Sequence, residues 1–153
     1  MSIAQPNERP PLVVDAAVVV KWLRPEELSA RAHALVEAAL REHRTLAGVA
    51  SLPMDVAQVI YQRGRKGDLT PSETDAALAL LARLDIATQP PPDLVAETVA
   101  FAREAGFKRL HDAQQIVLAR MLTADLWTAD PKLHKNASGS VPWVRWLGDF
   151  ETL

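Results

Sequence analysis

The chain of 153 residues contains no cysteine. That absence excludes disulfide scaffolds, thiolate zinc sites, iron–sulfur clusters and cysteine nucleophiles. Long apolar runs are missing too. The longest, Leu12 to Val20, is interrupted by Asp15 and is far too short to span a bilayer. The first eleven residues, MSIAQPNERPP, are polar and broken by proline, with no hydrophobic core of a signal peptide. A cytoplasmic location without a membrane partner is therefore expected. A formal net charge of -2 argues against a basic coat for non-specific DNA binding, but it leaves room for a local basic groove. Neither G-x-G-x-x-G nor a P-loop is present, which weakens any nucleotide-binding reading. No internal repeat or low-complexity tract interrupts the chain. At 48% hydrophobic and 24% charged, the composition is that of a globular core with a charged skin. One domain over residues 12–153 is expected, preceded by a flexible tail over 1–11.

Two kinds of segment alternate. LVVD (12–15) is a continuous apolar, β-branched run ending in an acid, the pattern of a strand buried on both faces. Shorter runs of this kind occur at 45–49, 85–89, 125–128 and 142–146. Between them lie stretches with helical period: Leu28, Ala32, Leu35, Val36 and Ala39; Val56, Val59 and Ile60; Ala77, Leu80, Leu81 and Leu84; Val95, Val99 and Ala102. Residues 113–122 are apolar almost all round, as in a helix buried between layers. Ser51 and Pro53 read as the start of one helix, Gly64 and Gly67 as its end. Thr70-Pro71 with Glu73 opens the next, and Gly106 closes another. Strands alternating with helices predict a three-layer α/β/α sandwich around a mostly parallel five-stranded sheet.

In such a sheet, ligands sit beyond the carboxyl ends of the strands. Asp15 ends the first strand at that edge, and Asp130 lies just past the fourth. Asp55 falls in the first turn of the helix leaving the second strand. Asp112 opens the helix that must run back to feed 125–128. Four acids from distant segments thus converge on one rim. Singly, Asp55 and Asp112 are explained by the helix dipole, and Asp130 before Pro131 by a turn. Asp15 is harder to explain, because a carboxylate on a buried strand is unfavourable unless paired or metal-bound. No quartet of Lys or Arg recurs beside the four. A hard divalent cation, Mg²⁺ or Mn²⁺, is the natural compensation.

VVDAAVVVKWL with Asp15, PMDVAQVI with Asp55, LHDAQQIVLA with Asp112 and WTADPKL with Asp130 together resemble a PIN-domain ribonuclease. The closest likeness within that family is to the VapC-type toxins of toxin–antitoxin pairs, and it runs over residues 12–147. The resemblance implies a parallel α/β/α sandwich and Mg²⁺- or Mn²⁺-dependent RNA cleavage, with Asp15, Asp55, Asp112 and Asp130 as catalytic and metal-binding residues. It also implies a VapB-type antitoxin partner and a homodimer. Three positions depart from the family pattern. Asp55 stands where Glu is usual, Gln58 where Asn is usual, and Ala17 where Ser or Thr would orient the first carboxylate. Loss of such a supporting hydrogen bond lowers metal affinity or activity by roughly 10–100-fold.

Lys21, Gln58 and Gln115 are candidates for RNA contact. Lys21 follows the first strand, while Gln58 and Gln115 lie three residues after Asp55 and Asp112, on the same helix faces. Arg63, Arg65 and Lys66 in RGRKG form a cationic helix end. His111 reads as a surface or capping residue, and His134 is unassigned. Trp127, Trp143 and Trp146 fall in strands and read as packing residues rather than base-stacking platforms. The stripe at 56–60 offers a dimer face if its helix projects. Two other readings compete with the nuclease. One is a catalytically weak or silent PIN-like module that binds RNA or protein. The other is phosphotransfer through Asp15, which Asp15-Ala16-Ala17 fits poorly.

Overall fold

The structure is a computed structural model and describes residues 9–151. The expected tail lies outside the described residues over 1–8, as do the last two residues of the expected domain. Next to β1, Arg9 pairs with Glu42 at 3.3 Å, and the Pro10 carbonyl accepts a hydrogen bond from Arg44.

Five strands form the central sheet: β1 (Leu12–Val14), β2 (Leu46–Ala47), β3 (Ile86–Ala87), β4 (Leu126–Thr128) and β5 (Val144–Trp146). Their order is β3-β2-β1-β4-β5, and every neighbouring pair is parallel. Val13 aligns with Ala47 on one side and Leu126 on the other, so β1 is central and all three of its residues are buried. Seven helices connect and cover the strands: α1 (Ala16–Leu23), α2 (Ser29–Arg41), α3 (Leu52–Arg65), α4 (Pro71–Arg83), α5 (Leu94–Ala105), α6 (Leu110–Met121) and α7 (Pro131–Ala137). The result is the three-layer α/β/α sandwich of a PIN-like fold. Among the described residues, no helix is long and apolar enough to cross a membrane.

Periodicity did not reveal α1 or α7. The valines Val18, Val19 and Val20 lie in α1, not in an extended run, and their exposure is 1% or less. At eight residues, with Lys21 its single polar one, α1 is too short and too apolar to be separated from the β1 run by periodicity, although it packs against α2, α3, α4 and β4. Burying each valine contributes on the order of 1.5–3 kcal/mol, which outweighs the modest helix propensity of β-branched residues. Across the sheet, α6 packs on β1 and β4 and against α5. Its buried residues run from Ala113 through Ala119, with Gln114 as the one break.

Several expected boundary signals act differently. Thr70 and Glu73 form the full capping box at α4, and Gly106 closes α5 in the left-handed region at φ 75°. Ser51, however, makes no capping bond, because its hydroxyl is turned to Asp55. Gly64 does not end α3 but lies within it. A Cβ there would stand 3.0 Å from Thr74 Oγ1, so the missing side chain lets α3 and α4 approach closely. The stripe at 56–60 is not a free face: Val56 and Ile60 are fully buried, in a helix that packs against α1.

Candidate functional site

From β1 the chain moves outward through β2 to β3, then returns to place β4 on the other side of β1. This reversal opens a crevice at the carboxyl ends of β1 and β4. Asp15 and Thr128 meet there. Asp15 is the N-cap of α1, and its Oδ1 accepts the Val18 N–H at 2.9 Å. The Thr128 hydroxyl donates to Asp15 Oδ2 across the crevice. The same hydroxyl oxygen accepts the backbone N–H of Asp130 at 3.0 Å. Asp130 in turn caps α7, accepting the Lys132 N–H at 2.9 Å. Thr128 therefore supplies, from the neighbouring strand, the hydroxyl that Ala17 lacks.

Burial dominates the electrostatics of Asp15. At 3% exposure, desolvation pushes its carboxyl up to about 6. The hydrogen bonds from Thr128, Val18 and Ala129 oppose that rise, and the Asp130 charge adds to it.

Asp55 and Asp112 stand on the same rim in a second group. Asp55, in the first turn of α3, accepts the Ser51 hydroxyl at 2.9 Å. The His111 Nε2 lies 3.2 Å from the same oxygen, Oδ2. That contact joins the starts of α3 and α6, and it gives His111 a partner where a surface or capping role was expected. Asp112 is half-buried and borders a cavity of about 400 Å³ together with Gly106, Phe107, Lys108, Arg109 and Asn136.

The other candidates are placed less centrally. Lys21 is drawn away from the rim: its ammonium pairs with Glu26 at 3.0 Å, and Arg63 of RGRKG grips the same carboxylate at 2.6 Å. Burial would raise the Glu26 carboxyl, but Arg63 and Lys21 outweigh it and hold it below the usual carboxylate range. Gln58 is exposed on α3, and Gln115 is buried on α6, one turn beyond Asp112. The tryptophans pack. Trp22 and Trp143 donate to the Ala32 and Ile116 carbonyls, Trp127 meets Phe150 edge-on, and Trp146 lies against His134.

The donor set is made of carboxylate oxygens, which suits a hard cation. Its spacing does not make a closed cage: no three His, Asp or Glu side chains among the described residues come together to hold one ion. Asp15 and Asp130, linked through Thr128, form one arm, while Asp55 is engaged by Ser51 and His111. Mg²⁺ is commonly held by one or two carboxylates, with waters and substrate phosphates completing its shell. The residues fit that open arrangement.

Thr128, His111, Asn136, Lys108 and Arg109 were not singled out as functional in the sequence. Only Thr128 had a visible signal, as a hydroxyl two residues before Asp130 at a strand end. The rest are brought to the rim by the way the helix starts pack.

No family model and no curated protein matches the sequence. Solved structures do match in shape. One is the crystal structure of PAE2754 from Pyrobaculum aerophilum, with a TM-score of 0.63 and 16% identity over 90% of this chain and 91% of that one. Another is the crystal structure of FitAcB from Neisseria gonorrhoeae, with a TM-score of 0.53 and 16% identity over 88% of this chain and 95% of that one. At such identity the likeness establishes the fold, and the chain has the same α/β/α architecture as these two proteins.

Proposed function

We propose that this chain is a divalent-metal-dependent ribonuclease that acts as the toxin of a toxin–antitoxin pair. One observation carries the reading. Asp15 is the one buried carboxylate among the described residues, it is tied through Thr128 to Asp130, and neither acid has a Lys or Arg ion-pair partner there. Like charges left together without a cationic partner are the electrostatic signature of a cation site. Asp15 and Asp130 would hold Mg²⁺ or Mn²⁺, with Asp112 and Asp55 flanking them. A bound cation would supply positive charge opposite the scissile phosphate. The chain's own contribution is orientation. Thr128 and the Val18 N–H lock the Asp15 carboxylate, and α7 fixes Asp130 through its cap.

An antitoxin would silence the site by placing an Arg or Lys among these acids, and the toxin would pair with a second copy of itself. Support for these partners comes from the sequence motifs. The test is cleavage of RNA in Mg²⁺ by the wild type, Asp15→Asn and Asp130→Asn, together with growth of a host expressing each. Cleavage and growth arrest by the wild type alone are expected. Equal cleavage by all three proteins overturns the site. That no three acids cluster among the described residues favours a second reading, a binding module that does not cut. Intact RNA with wild-type protein in both Mg²⁺ and Mn²⁺ would select it.

A further inference from the structure

A nuclease needs cations to hold its polyanionic substrate, and the two most evident in the sequence are engaged elsewhere. Lys21 and Arg63 share Glu26. Lys108, Arg109, Lys132 and Lys135 have no acidic partner among the described residues, and all four are exposed. Lys108 and Arg109 border the cavity of Asp112, and the Lys132 N–H bonds Asp130, so these three lie at the acidic rim.

The local structure explains why. Gly106 ends α5 in the left-handed region, and Phe107 then turns back against Phe101, with ring centroids 5.5 Å apart. With Phe107 anchored, the next two residues, Lys108 and Arg109, are directed outward before α6 begins. Both border the cavity that contains Asp112. Asn136 forms another part of its wall from α7. Lys132 is one turn before Asn136 on the same face of α7, two residues after Asp130. Cations thus flank a cavity whose remaining charge is the Asp112 carboxylate. Exposed pairs of this kind gain little from closing on each other, so the cations stay available to a stronger anion.

We infer that Lys108, Arg109 and Lys132 hold the phosphate backbone of a single-stranded RNA as it crosses this cavity toward Asp112 and Asp130. Asn136 lines the same path and offers its amide to the backbone. The inference rests on the ribonuclease reading for its ligand, but it concerns binding and can be tested without cleavage. Single-stranded RNA is favoured over an acidic protein because the track leads directly to carboxylates that a divalent cation would bridge to phosphate.

The experiment is binding of a fluorescent 12-nucleotide RNA in EDTA across a salt series. Wild type, Lys108→Ala/Arg109→Ala and Arg65→Ala/Lys66→Ala are compared, with thermal melts to check folding. Each lost phosphate contact should lower the slope of log affinity against log salt by about 0.7. The Lys108/Arg109 variant is expected to bind about tenfold more weakly with a shallower slope, and the Arg65/Lys66 variant to match the wild type. Equal affinity and slope for the wild type and the Lys108/Arg109 variant overturn the track, as does an equal loss in both variants. RNA binding lost only in the Lys108/Arg109 variant, with no cleavage by wild type in Mg²⁺, leaves the track standing and removes the nuclease. Cleavage by wild type with an unchanged KM in the Lys108/Arg109 variant removes the track alone. A wild type that binds no RNA also removes it, and capture of an acidic protein through Lys108 would reassign the cavity.

Discussion

The Thr128 hydroxyl donates to the Asp15 carboxylate across 113 residues of sequence, and both side chains are buried. This bond ties the exit of β1 to the exit of β4. Because the same oxygen accepts the Asp130 N–H, one side chain sets the position of two acids.

Replacing Thr128 by Val keeps the shape and removes both hydrogen bonds. Thr128→Val should destabilise the fold by about 1–3 kcal/mol at neutral pH, the consequence of leaving a buried acceptor unpaired. It should also raise the Asp15 carboxyl further, because one of the bonds opposing desolvation is gone. Thr128→Ser should recover both properties. An NMR titration of the Asp15 carboxyl in the three proteins checks this, and an unmoved Thr128→Val midpoint would contradict it.

The raised Asp15 carboxyl predicts a pH dependence of stability. Its folded value is about 6 against 3.8 when exposed, so the folded protein keeps a proton that the unfolded chain has released. The stability this group contributes is complete below pH 3.8 and is lost as pH rises through about 6. The loss amounts to roughly 3 kcal/mol. Asp15→Asn carries no such penalty and still accepts at the N-cap. In EDTA it should exceed the wild type in stability at pH 7.5 and match it near pH 4. Urea unfolding across that range is the measurement, and a constant difference contradicts the prediction.

His111 and a metal would compete for Asp55. The imidazole nitrogen lies 3.2 Å from Asp55 Oδ2, so His111→Ala removes one of the two groups on that oxygen and leaves only the Ser51 hydroxyl there. If Asp55 contributes to the cation site, Mn²⁺ binding should tighten several-fold in His111→Ala and weaken in Asp55→Asn. Calorimetry decides. No change in either variant would remove Asp55 from the site.

Thr123 follows α6 at φ 53°, a conformation that L residues, β-branched ones above all, adopt with strain. The next N–H, of Ala124, closes back on the Ala119 carbonyl at 2.9 Å, as in a helix ending that normally carries glycine. Thr123→Gly should therefore raise stability by about 1 kcal/mol without touching the rim. A thermal melt that moves downward would show that the strain is compensated elsewhere.

The sequence by itself determined the layered α/β/α architecture, the five strands and the sharing of one sheet edge by Asp15, Asp55, Asp112 and Asp130. Those features follow from local pattern and from chain connectivity, since a parallel sheet allows few routes between its strands. Tertiary structure decided the rest. The α1 helix was hidden because its eight residues, with Lys21 the single polar one, continue the apolar run of β1 and are too few to show a clear helical period. Connectivity brings acids to an edge, but it does not say which neighbour each one meets there. Thr128 reaches Asp15 because β4 lies beside β1, and His111 reaches Asp55 because α3 and α6 begin side by side. Glu26 captures Lys21 and Arg63, while Lys108, Arg109 and Lys132 stand at the rim without an acidic partner among the described residues. Charge pairing is a competition among all groups within reach, and reach is a property of the folded chain.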